Sequence, residues 1–192
     1  MYDSPQDDMF WFECGVDGFR IDTAGMYSKD QAFLDAPIVF QDQYYQPSAI
    51  YTNNGPRTHE FHKEMFDQVT SKYDVMTVGE VGYCSKEEAL KYVGASENEM
   101  NMIFLFDVIE VGCEDGDKFR YKGFNLKDLK QAVQNECSFI EGTDAWFTVF
   151  IENHDQARTI SRFGDKKHQV KNGKLLSIMQ TTLTGTKVKK LE

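Results

Sequence analysis

The chain has 192 residues, 41% hydrophobic and 14% aromatic, enough to bury a core as one domain or a piece of one. A formal net charge of −10 works against recognition of a nucleic-acid phosphate backbone, and the basic cluster of Lys187, Lys189 and Lys190 reads as a solvated tail. No apolar run approaches the ~18 residues of a membrane helix, and "MYDSPQDDMFWFE" lacks the basic and then apolar pattern of a signal peptide.

In chain order, residues 7–14 read as the end of a helix with Gly15 as its C-cap, followed by a strand over 16–22. Arg20 and Asp22 are two apart in that strand and so share a face. Residues 26–58 show no clear period, an unusual length for a connection, which suggests a functional loop. Thr58 is placed to cap a helix running to about Tyr73, with Phe61, Met65 and Val69 on one face. "DVMTVGEVG" (74–82) reads as a buried strand ending in Glu80. "SKEEALKYV" opens with a capping box, Ser85 and Glu88, and reads as a helix.

"NMIFLFDVI" (101–109) is a third apolar strand, carrying Asp107. Asn125 caps a helix with Leu126, Leu129 and Val133 on one face. "WFTVFIENHD" (146–155) is a fourth strand ending in a polar cluster, and "GKLLSIMQTTLTG" (173–185) a last helix. Near-continuous apolar strands alternating with helices imply a parallel sheet covered on both faces or closed as a barrel. Cys14, Cys84, Cys113 and Cys137 have no CxxC spacing, so neither a zinc site nor a redox motif is indicated, and reduced thiols place the chain in the cytoplasm.

Polar residues gather at the C-terminal ends of these strands: Asp22, Glu80, Asp107, and Glu152 through Asp155. Each has a plain structural reading. Arg20–Asp22 alone reads first as an ion pair, Glu80 and Asp107 as caps of the following helices, and His154 as a half-buried histidine. Acids on successive parallel strands at one edge can instead converge on one pocket, which is what glycosidic bond cleavage needs.

"GFRIDTAG", "TVGEV" and "FIENHD" resemble, in order, three conserved regions of glycoside hydrolase family 13, the α-amylase superfamily. "GFRIDTAGMYSK", "NNGPRTHEF", "MTVGEV" and "ENHDQAR" are similar, more narrowly, to fungal maltases and other α-glucosidases. The resemblance implies an α/β fold: part of a TIM (β/α)8 barrel, about four consecutive βα units equivalent to strands four to seven. On that pattern the N-terminal strands, domain B and the C-terminal β-domain fall outside residues 1–192.

The resemblance assigns Asp22 as nucleophile, Glu80 as general acid/base and Asp155 as a transition-state stabiliser binding sugar hydroxyls. Arg20 would hold Asp22 ionised and oriented, and His154 would bond the same sugar. Glu80, which must hold a proton, is expected in a drier or more negative environment. Retention of configuration would need the two carboxyls at about 5–5.5 Å.

Gly25 and Met26 stand where calcium-binding amylases usually carry a Lys-His pair, so no metal and no cofactor is implied. Thr23 is similar to the maltase type and points to α-1,4 over α-1,6 preference. The expected partner is a small α-glucoside such as maltose, with neither nucleic acid nor membrane. Expectations from other classes are a non-catalytic amylase-like protein or an inactive fragment; an isomaltase is the alternative enzyme.

Overall fold

In the computed structural model, which describes residues 5–82, 84–114 and 117–188, the chain enters through α1 (Pro5–Glu13). The helix stops where Val16 N–H reaches back to Trp11 O and Gly15 N–H to Phe12 O, at 3.2 and 2.9 Å. That double bond satisfies the last carbonyls and needs a left-handed residue, which Gly15 supplies at φ +92°. The chain divides into two compact units, residues 1–103 and 104–192.

In the first unit, β1 (Gly18–Ile21) is followed by the short helix α2 (Ala49–Thr52), then α3 (Thr58–Gln68), β2 (Met76–Glu80), α4 (Lys86–Val93) and the first two residues of β3 (Met102–Phe104). The strands lie side by side in that order. β1 and β2 are parallel, with Gly18 opposite Met76 and Ile21 opposite Gly79. Gly18 has to be glycine, because a Cβ there would meet Met76 O at 1.9 Å. Val78, Val81, Ile103, Val69 and Tyr92 are buried around these strands; each aliphatic side chain so covered contributes about 1.5–3 kcal/mol. Asn101 closes the approach to β3 by accepting from Thr77 N–H and hydroxyl, at 2.7 and 3.1 Å.

Three helix expectations are corrected in detail. Arg57, not Thr58, is the N-cap of α3; Thr58 is fully buried as the first helical residue, with its hydroxyl turned from any capping role. The helix ends at Gln68, and Thr70–Lys72 forms a 3-10 turn. Ser85 does cap α4, accepting from Glu88 N–H at 3.2 Å. The Glu88 carboxylate, however, turns to His59 and Lys91.

The second unit holds α5 (Asp107–Glu110), the hairpin β4 (Cys113–Glu114) and β5 (Asp117–Tyr121), α6 (Leu126–Ser138), β6 (Phe147–Val149), α7 (Thr159–Phe163), α8 (Gln169–Thr182) and β7 (Thr186–Lys187). The run 101–109 is therefore not one strand: it breaks after Phe104, and Asp107 opens a helix instead of ending a strand. A short apolar run fits a strand and a buried helix equally well. The acid in the first turn decides here, with the Asp107 carboxylate accepting from Asn135 at 3.1 Å. Asn125 caps α6 as expected, accepting from Asp128 N–H at 2.9 Å. Its buried side is Leu129, Ala132 and Glu136, while Leu126 is exposed.

The core of this unit joins Val108, Val111, Leu129, Ile151, Phe163 and Leu176. β6 pairs in parallel with β7, Thr148 opposite Thr186 and Val149 opposite Lys187. Lys187 therefore belongs to a strand and not to a solvated tail; Lys189 and Lys190 lie outside the described residues.

Candidate active site

Arg20 and Asp22 leave β1 on one face, and the register that sets Arg20 opposite Val78 carries Asp22 toward Glu80 two residues on. Arg20 joins the two acids. Its Nη1 pairs with Asp22 Oδ1, and its Nη2 with Glu80 Oε2 at 2.9 Å. A second donor reaches the same glutamate oxygen, the backbone N–H of Thr23 at 3.2 Å. Two carboxyl groups on one guanidinium are neighbours by construction, and a charge-assisted fork of this kind fixes both.

The environments of the two acids differ. The Asp22 side chain is 66% exposed and that of Glu80 16%. Glu80 is thus the drier of the two, as expected, but its surroundings are not the more negative ones: its contacts are a cation and an amide donor.

The turn after Asp22 brings Thr23 over Glu80. Thr23 sits at φ 43°, ψ 39°, a left-handed conformation uncommon for a β-branched residue. The 3-10 turn Ala24–Met26 follows, closed by Met26 N–H to Thr23 O at 2.8 Å. Behind it, Gly79 lets β2 come close: a Cβ there would lie 2.4 Å from Met100 Sδ and 3.3 Å from Ala24 Cβ. A cleft of ≈ 640 Å³ along β1 is lined by Arg20, Asp22, Thr23 and Tyr27, among other residues.

His154 and Asp155 stand in the second unit, after β6. His154 Nε2 lies 3.3 Å from Asp155 Oδ2, both half-exposed, and Asp155 N–H donates to Asn153 Oδ1 at 2.9 Å. Glu152, from the same polar run, has a structural task. It accepts from Thr159 N–H and hydroxyl, both at 2.7 Å, and from Arg158 at 2.9 Å. Burial acts to raise its carboxyl, and those donors outweigh it and hold the group below its ordinary value. Of the acids gathered at strand ends, Glu152 and Asp107 are therefore anchors of local structure.

Sequence reasoning passed over the supports of the Thr23 turn. His62, fully buried on α3, bonds Ala24 O at 2.9 Å, and Asn54 N–H bonds Gly25 O at 2.7 Å. The signal available was a histidine one helical turn after His59, indistinguishable in sequence from a surface residue. Among the described residues no group of His, Cys, Asp and Glu is arranged to hold a metal ion.

Known proteins resemble the chain over most of its length. Residues 5–189 match the model of the α-amylase catalytic domain. The chain is 62% identical over 179 residues to an α-glucosidase of Candida albicans, covering 92% of this chain and 31% of the relative. It is 41% identical to an oligo-1,6-glucosidase of Saccharomyces cerevisiae at the same coverage. It spans about a third of the length of these relatives. Among solved structures, a trehalose-6-phosphate hydrolase of Bacillus licheniformis superposes with a TM-score of 0.84 at 33% identity, over 95% of this chain and 32% of that one. An isomaltulose synthase of Klebsiella superposes with a TM-score of 0.80 at 31% identity, over 93% and 32%. With two adjacent parallel strands delivering paired acids to one arginine, and with both family and structural matches spanning nearly its whole length, the chain belongs to the α-amylase catalytic-domain family as part of a TIM barrel.

Proposed function

We propose that these residues carry retaining hydrolysis of terminal α-1,4-linked glucose from maltose and short α-glucosides, the reaction of an α-glucosidase. The observation that carries the reading is the shared guanidinium between Asp22 and Glu80. A retaining mechanism places a nucleophile and an acid/base as close neighbours.

Asp22 attacks the anomeric carbon, forming an ester as the bond to the leaving oxygen breaks. Glu80 gives its proton to that oxygen, then takes one from the water that attacks the ester and frees Asp22. Both donors to Glu80 fall on Oε2, so Oε1 is the oxygen suited to carry the proton. Arg20 offsets the negative charge of Asp22 and orients it. Asp155 and His154 would take the sugar hydroxyls. Thr23 beside the nucleophile, together with 62% identity to a protein named α-glucosidase, favours maltose over isomaltose. The cytoplasmic placement belongs to the same proposal and is supported by Cys14, Cys113 and Cys137 being free thiols.

The test is a chimera in which this chain replaces the corresponding third of the Candida α-glucosidase. Expected are turnover of maltose faster than isomaltose and loss of about 10²–10⁴ in kcat for Glu80→Gln, with Asp22→Asn at least as damaging. A chimera that folds but cleaves neither sugar would make the chain non-catalytic; faster cleavage of isomaltose would move it to the α-1,6 class.

A further inference from the structure

We propose that His62 is a positioning residue: it holds the turn after Asp22 so that the backbone N–H of Thr23 stays aimed at Glu80. This rests on the reading of Glu80 as acid/base. The turn carries strain, because Thr23 occupies a left-handed conformation that its β-branched side chain disfavours, and within the turn, among the described residues, only Met26 N–H to Thr23 O is there to oppose it. Something outside the turn has to hold it.

His62 is fully buried on α3, and its imidazole Nε2 meets Ala24 O at 2.9 Å. A carbonyl only accepts, so Nε2 carries the proton. The opposite nitrogen, Nδ1, has no hydrogen-bond partner. Burial keeps the ring below its ordinary pKa, against the pull of the Ala24 carbonyl and with further help from charge on His59. The ring therefore has one tautomer and one bond, and that bond ends two residues beyond the nucleophile.

Aromatic neighbours fix the ring. Tyr27 stacks on it at 5.2 Å and Tyr92 meets it edge-on at 5.6 Å. A second strut runs parallel: Tyr92 hydroxyl donates to Asn54 Oδ1 at 2.6 Å, and Asn54 N–H holds Gly25 O at 2.7 Å. The carbonyls after Thr23 are thus pinned from α3 directly and from α4 through Asn54, leaving the Thr23 amide directed at Glu80 Oε2.

His62→Leu fills the site without a donor, and His62→Gln keeps a side-chain N–H. In the chain itself, hydrogen exchange at the Thr23 and Met26 amides should quicken about tenfold or more in the leucine variant, with the β2 amides unchanged, and return to within about threefold in the glutamine variant. In the Candida chimera, His62→Leu should cut kcat/KM for maltose about tenfold or more. α-Glucosyl fluoride, whose leaving group needs no proton, should lose less than about threefold, and His62→Gln should restore maltose cleavage.

A merely structural role would reduce both substrates equally, and that result overturns the proposal, as does unchanged exchange in His62→Leu. Should the leucine variant not fold, His62→Phe, which keeps the ring stack, takes its place. If the unmutated chimera cleaves neither substrate, the acid/base reading falls, and exchange at Thr23 alone decides whether His62 holds the turn.

Discussion

A single buried carboxyl illustrates how far residue identity and role can part. Glu136 lies on α6 seven residues after Leu129, so helical spacing puts a carboxyl on the apolar face, and there it is buried. Its carboxyl accepts from Val108 N–H at 3.0 Å, near the start of α5. Burial pushes its pKa to about 8, with the Val108 bond opposing and Asp107 adding to the rise. A folded-state pKa above the unfolded value means that the native state keeps its proton while the unfolded state loses it. Stability then falls as pH rises from about 4.5 toward 8. Glu136→Gln retains an acceptor for Val108 and cannot ionise, so it should remove that part of the pH dependence and leave the protein at pH 8 as stable as, or more stable than, the parent. Thermal melts between pH 5 and 8 read the difference; parallel curves for parent and variant would show that Glu136 does not titrate in this range. At this same scale the Arg20–Asp22 pair was legible in the sequence, because strand alternation puts residues two apart on one face; that Arg20 also meets Glu80 needed the register of β1 against β2. Glu136, Asp107 and His62 were not legible, since their roles depend on which elements pack over them.

Among the elements, α3 and α4 are joined by a charge cluster that neither helix announces. His59 Nδ1 meets Glu99 at 2.9 Å and Nε2 meets Glu88 at 2.9 Å. While Glu88 and Glu99 are ionised they only accept, so both ring nitrogens donate and the ring is then an imidazolium. Lys63 reaches Glu97 and Glu99 at 3.2 and 3.8 Å, Lys91 pairs with Glu88 at 2.6 Å, and the Tyr92 ring lies 4.6 Å from His59. The Glu99 bond, assisted by Glu88 and opposed by burial, holds His59 above its ordinary pKa. A raised histidine contributes stability that is whole below the unfolded value of about 6.5 and is lost as pH climbs through the folded one. In a Glu136→Gln background, which removes the Glu136 titration from this window, the melting temperature should therefore still drop by about 2–5 °C as the pH is raised from 6.5 upward, and that drop should vanish on adding His59→Gln. A drop that survives the substitution would place the titrating group elsewhere. Elements were legible where a cap or a strict period marked them, as with Ser85 and Asn125. The 101–109 run failed because apolar continuity does not distinguish a strand from a strand followed by a buried helical turn. The hairpin of β4 and β5 escaped notice because its strands are short and polar.

For the whole molecule, the question is whether 192 residues provide the environment that the site chemistry needs. Asp22 is 66% exposed, whereas attack on an anomeric carbon gains most from a site closed to water, in which preorganised charges act at low dielectric. Large apolar side chains also face solvent: Phe33, Leu34, Ile38, Val39, Tyr44 and Tyr45 along the 27–57 connection, and Phe10 and Trp11 on α1. Where such side chains adjoin, they ordinarily mark surface that is covered. The relatives, of which this chain matches 31%, carry twice as much additional chain with which to cover it. The 192-residue chain alone should therefore cleave p-nitrophenyl α-glucoside about 10²-fold or more slowly than the Candida chimera. Adding the remaining two thirds of the Candida enzyme as a separate polypeptide should recover part of that rate. Cleavage by the isolated chain within about tenfold of the chimera would mean that Arg20, Asp22 and Glu80 work without further shielding, and that the exposed aspartate is already competent.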